Sequence, residues 1–77
     1  MKNIKTIWKE IPHRIEMSGA FVVTNNIKAV NAHGHKSHFW ATNYIQYSKE
    51  KKMHLTFDAA DRMIWDLTHY IEIPNGN

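Results

Sequence analysis

The chain has no cysteine. That excludes a disulfide framework and any zinc site built on thiolates. Three glycines in 77 residues leave no Gly-rich loop of the kind that cradles a phosphate. No stretch approaches the roughly 18 apolar residues of a membrane span. The opening residues, Met1-Lys2-Asn3-Ile4-Lys5, carry no apolar run of the kind a secretory signal needs. Internal repeats, linkers and low-complexity segments are also missing. The expectation is a single domain over residues 1–77, cytoplasmic, without a membrane partner and without a cofactor. A chain this short supports one core worth about 3–5 kcal/mol net.

What is present is mildly basic and rich in rings. Lys plus Arg number 10 against 7 for Asp plus Glu, a net charge of +3. There are six histidines and three each of Trp, Tyr and Phe. Such a balance permits nucleic-acid binding without demanding it.

The stretch from Met53 to Ile71 carries the strongest pattern. Met53-His54-Leu55-Thr56-Phe57 alternates apolar and polar, as a half-buried strand does. Ala60, Met63, Ile64, Leu67 and Ile71 then recur at offsets of three and four, the spacing of one helix face. Asp58 is placed to cap that helix, Asp61 sits near its positive end, and Pro74 stops it. Upstream, residues 2–11 read as a strand or arm that Pro12 ends or confines to an edge. Arg14–Met17 reads as a short strand and Ser18-Gly19 as a turn. Ala20–Thr24 and Ile27–Asn31 read as a hairpin about Asn25-Asn26, pairing Thr24 with Ile27. His38–Ser48 reads as a long strand turning back through Lys49–Lys52. Two registers are open. A four-residue loop pairs Ser48 with Met53 and sets Trp40 and Tyr44 beside Leu55 and Phe57. A five-residue loop, the preferred reading, pairs Tyr47 with Met53, collects the aliphatic residues on one side and exposes His38, Trp40, Thr42, Tyr44, His54 and Thr56 together. The predicted fold class is α+β: a small antiparallel sheet of four to five strands with one C-terminal amphipathic helix packed on it.

Three constellations bear on chemistry. His33, His35 and His38 lie within six residues and offer imidazoles to a divalent metal, with His54, His69 or a carboxylate as a fourth ligand. A solvated polar loop is the commoner meaning, so no metal is expected. Ser18, Ser37 and Ser48 lack the strained turn of a nucleophile, and Asp58 with Asp61 are better explained by the helix start. No catalytic residue is assigned. The basic residues Lys28, Lys36, Lys49, Lys51 and Lys52, alongside Trp40 and Tyr44, form a candidate surface for phosphates and bases. Trp65, on the far side of the predicted helix with Arg62 and His69, marks a candidate partner-binding face.

Several short motifs follow one another in a recognisable order. Trp8-Lys9-Glu10-Ile11-Pro12 comes first, Phe21-Val22-Val23-Thr24-Asn25 precedes a basic Lys28, Arg62-Met63-Ile64 falls in the predicted helix, and Ile73-Pro74-Asn75 follows it. This order resembles the small nuclease-associated DNA-binding module found beside HNH homing endonucleases and in related phage proteins. Ile27-Lys28 stands where that module has Gly-Arg after its turn. The resemblance implies a module without the HNH part.

The expected function is therefore a small non-enzymatic nucleic-acid-binding module or regulator, plausibly encoded by a phage or mobile element. The alternative is a phage-type inhibitor or adaptor that binds a host enzyme; a homodimer is a further candidate assembly. A His-dependent nuclease using His33, His35 or His38 is a third, weaker reading.

Overall fold

The computed structural model describes residues 8–33 and 38–73, and of His33 the backbone alone. The described chain is mostly β. Strands β1 (Lys9–Glu10), β2 (Met17–Thr24), β3 (Phe39–Ser48), β4 (Met53–Phe57), β5 (Met63–Leu67) and β6 (His69–Glu72) form a six-stranded antiparallel sheet in the order β1-β6-β2-β3-β4-β5. One short helix, α1 (Ile27–His33), joins β2 to β3. Among the described residues no helix is long and apolar enough to cross a membrane.

The expected C-terminal helix does not form. Residues Met63–Leu67 and His69–Glu72 are two strands separated by Thr68. The three-and-four spacing of Met63, Ile64, Leu67 and Ile71 is coincidental. It overlies a run of Ile, Trp, Thr and Tyr that favours the pleated backbone. Asp58 accordingly caps no helix. Its Oδ1 accepts from the amides of Ala60 and Arg62 at 2.9 Å each and its Oδ2 from Arg62 Nε at 3.0 Å, closing the β4–β5 turn.

The hairpin expected at Asn25-Asn26 is also absent. Asn26 instead caps α1, with its Oδ1 accepting from the Ala29 amide at 3.1 Å. Thr24 pairs with Phe39 rather than Ile27, so β2 meets β3 across the helix. Arg14–Met17 is not a strand: His13 and Arg14 form a turn closed by the Ile15 amide on the Pro12 carbonyl at 3.1 Å. Gly19 lies inside β2, at a register shift where φ reaches +152°, rather than in a turn. The β3–β4 loop has four residues, pairing Ser48 with Met53, and not the five that would collect the aliphatic side chains.

Thr68 alone separates β5 from β6, so the flanking Cα atoms lie at most about 7 Å apart. Across a flat sheet, four strand spacings of about 4.8 Å would put β5 and β6 some 19 Å apart. The sheet must therefore curl over itself. β3 supplies the bend, pairing with β2 over most of its length but with β4 only through Gln46–Ser48. Ile11, Phe21, Val23, Ile45 and Leu67 fill the enclosed core, with Met17, Trp40, Ile64 and Tyr70 packed against it.

Candidate nucleic-acid interface

The turn Lys49–Lys52 brings β3 back into β4, and the turn at His13–Arg14 brings the chain into β2. The two turns meet at Tyr47. Arg14, Lys49, Lys52 and Tyr47 line one depression of about 310 Å³. A larger cleft of about 540 Å³ adjoins it, sharing Tyr47 and Lys52, with His13, His54, His69, Glu10 and Asp66 in its walls.

Two of the three cations in the smaller depression have a left-handed backbone. φ is 65° at Arg14 and 57° at Lys52. For an L-residue with an ordinary side chain this costs roughly 1–2 kcal/mol, and Gly or Asn is the usual occupant. Local stability alone would not favour Arg and Lys there.

The wall behind these cations is held by hydrogen bonds. Glu16 Oε2 accepts from the Tyr47 amide at 2.9 Å, and its Oε1 accepts from the Tyr44 hydroxyl at 2.7 Å. The Tyr47 amide, and then the Tyr44 hydroxyl, hold the Glu16 carboxyl below its ordinary pKa; burial opposes them, while His54 and Lys49 add smaller favourable fields. The same bond raises the Tyr44 phenol. The ring of His54 lies edge-on to that of Tyr47, with centroids 5.0 Å apart, and its Nε2 is 2.8 Å from the Ile15 carbonyl.

Of the expected nucleic-acid residues, Lys49 and Lys52 come together here. Lys51 turns away, with Nζ 5.0 Å from the Trp65 ring centroid. Lys28 is exposed on α1 and lines neither depression. Lys36 lies outside the described residues. Trp40 is not an exposed stacking residue: it pairs with Val23 and packs on the core. His54 and Thr56 are buried, so the wet face expected to join them to Trp40 and Tyr44 does not exist. Tyr44 is exposed, but its hydroxyl is engaged by Glu16.

The partner-binding set is dispersed. Trp65 is half-buried on β5 opposite Leu55 rather than exposed on a helix, Arg62 is tied to Asp58, and His69 lies on β6 with Nδ1 2.8 Å from Thr68 Oγ1. The side chain of His33, and all of His35, lie outside the described residues; the His38 carbonyl accepts from Thr24 Oγ1 at 2.6 Å. Among the described residues, no three His, Asp or Glu side chains gather closely enough to hold a metal ion.

Arg14 and Tyr47 were not singled out by the sequence. Pro12-His13-Arg14 offered one signal, a proline-led turn that presents a cation. Comparison with protein-family models, curated proteins and solved structures returns no match.

Proposed function

We propose that this chain is a small non-enzymatic nucleic-acid-binding module whose contact surface is centred on Arg14, Lys49 and Lys52. The observation that carries this reading is the left-handed backbone of Arg14 and Lys52 beside one another. Cations kept where Gly or Asn would be more stable are explained by a need for charge at that place. Phosphate is the common anion with the spacing and multiplicity to use three of them. The support is this basic depression rather than the resemblance to the nuclease-associated module. The hairpin and helix of that resemblance correspond here to a strand-helix pair and two strands.

The test is the salt dependence of binding. Lysines and arginines that neutralise phosphates release counterions, so log affinity should fall linearly with log salt. Replacing Arg14, Lys49 and Lys52 should lower the slope by roughly 0.9 per lost contact on duplex DNA, or 0.7 on a single strand. An unchanged slope would sink the reading.

One observation favours the adaptor alternative. Phe57 and Met63, paired across β4 and β5, are exposed, and Phe57 shares an apolar depression with exposed Ile73. Capture of a host protein that survives nuclease treatment of the lysate would support it.

A further inference from the structure

We infer that the site takes an unpaired nucleotide, with the phosphate between Arg14, Lys49 and Lys52 and the nucleoside across Tyr47 in the histidine-lined cleft. This rests on the nucleic-acid reading above and specifies its substrate class. The two depressions share Tyr47 and Lys52, so one ligand can occupy both. Their chemistry differs. Among the described residues the smaller one is lined by three cations and no carboxylate; Glu16 lies behind Tyr47, with its two oxygens engaged by the Tyr47 amide and the Tyr44 hydroxyl. The larger one includes Glu10 and Asp66, which repel a phosphate but accept from exocyclic amines, and the imidazoles of His13 and His69, which can hydrogen-bond a base edge. Charge therefore sets the direction in which a nucleotide lies.

The size fits as well. At about 540 Å³ the larger cleft falls in the range of small-ligand sites, roughly 300–1,000 Å³. Tyr47 supplies a flat ring at the boundary, and that ring is positioned before any ligand arrives. Its backbone amide is held by Glu16, and its ring packs against the edge-on imidazole of His54, itself placed by Ile15. Aromatic platforms of this kind stack bases without regard to sequence. A base inside a duplex cannot enter a concave cleft without leaving its stack, which costs a few kcal/mol. The site should therefore prefer single strands.

The experiment is a titration by fluorescence anisotropy. The probes are a labelled single-stranded oligonucleotide, the same sequence as a duplex, and inorganic polyphosphate as competitor, all at low salt. The single strand should bind at least about tenfold more tightly than the duplex. Tyr47→Leu keeps the amide that Glu16 accepts from and removes the ring. It should weaken single-strand binding roughly 5- to 150-fold, the range of one lost stacking contact, and leave polyphosphate binding unchanged. Lys52→Asn should weaken both. If Tyr47→Leu proves unfolded by circular dichroism, His13→Ala on the exposed turn replaces it, with loss of single-strand affinity expected. Equal affinity for single strand and duplex, together with no effect of Tyr47→Leu or His13→Ala, overturns the nucleotide site while leaving nucleic-acid binding intact. Binding of polyphosphate alone also overturns it. No binding of any polyanion at low salt removes both this inference and the reading beneath it.

Discussion

The hydroxyl of Tyr44 donates to Oε1 of Glu16 at 2.7 Å, while the other carboxylate oxygen accepts from the amide of Tyr47. One side chain thus ties the start of β2 to the bend of β3. Both bonds favour the charged carboxylate, and Glu16 sits below its ordinary pKa. Asp58 is lowered too, chiefly by the amide of Arg62. A carboxyl whose pKa is lower folded than unfolded binds fewer protons in the folded state. Its contribution is present above the ordinary carboxyl range, near pH 4, and is lost as pH falls through the folded value. The melting temperature should therefore drop on acidification below about pH 4. Tyr44→Phe should move the Glu16 titration upward, as followed by NMR. A Glu16 curve that does not move would show that the phenol has no part in holding the charge.

Arg14 and Lys52 make a second prediction with two opposed readouts. Asparagine tolerates the left-handed region better than either. Lys52→Asn and Arg14→Asn should each stabilise the fold by up to about 1 kcal/mol, a rise of roughly 4–8 °C in melting temperature at this chain length. Each should also weaken nucleic-acid binding. Stabilisation without loss of binding would mean that the charges serve no ligand. Destabilisation would mean that the side chains stabilise the turns themselves.

The strands that the sequence made legible are those whose backbone pattern is uninterrupted. Ala20–Thr24 and Met53–Phe57 were expected as strands and lie in strands, and the strand expected over His38–Ser48 begins one residue later, at Phe39. The misread segments share a cause, a local irregularity that side-chain spacing does not record. Asp66 takes a left-handed φ of 62° at the register shift between β4 and β5. With Thr68 it breaks one β segment into two, and the broken alternation of Met63 to Ile71 imitates helical spacing. In β2 the extra residue beside Gly19 shifts pairing by one, so a strand interior looked like a turn. The four-residue loop depends on Lys52 in a conformation unusual for lysine, hence the wrong register and the wrong wet face. The lysine turn itself was legible as a phosphate-binding candidate; its meeting with Arg14 depends on the curl of the whole sheet, which no local pattern encodes.

Lys51 and Lys49 are two residues apart and should behave differently. The Lys51 ammonium lies over the Trp65 ring, an interaction worth roughly 0.5–1 kcal/mol at an exposed site. Lys49 faces the depression. Lys51→Gln should cost about that much stability and perturb Trp fluorescence, with little change in the salt slope of binding. Lys49→Gln should do the reverse. If the slope falls equally for both, Lys51 leaves the ring when ligand binds and belongs to the contact surface.

The last prediction concerns the seam that closes the curl. Thr24 is fully buried. Its Oγ1 donates to the His38 carbonyl at 2.6 Å and accepts from the Asn26 amide at 3.0 Å, and its own carbonyl accepts from the Thr68 amide at 3.0 Å. One residue thereby joins the end of β2, the entry to α1, the start of β3 and the link between β5 and β6. Thr24→Val keeps the shape and removes the hydroxyl. It leaves the half-buried His38 carbonyl and the amide of exposed Asn26 without their partner; water can replace the hydroxyl at Asn26, so the cost is about 1–3 kcal/mol, from the carbonyl alone. Thr24→Ser keeps the hydroxyl and loses one methyl, roughly 1 kcal/mol. Against a net stability of about 3–5 kcal/mol, the valine variant should lose a large share of its stability and the serine variant less. Urea titration separates them. If valine is tolerated and serine is not, packing rather than hydrogen bonding closes the sheet.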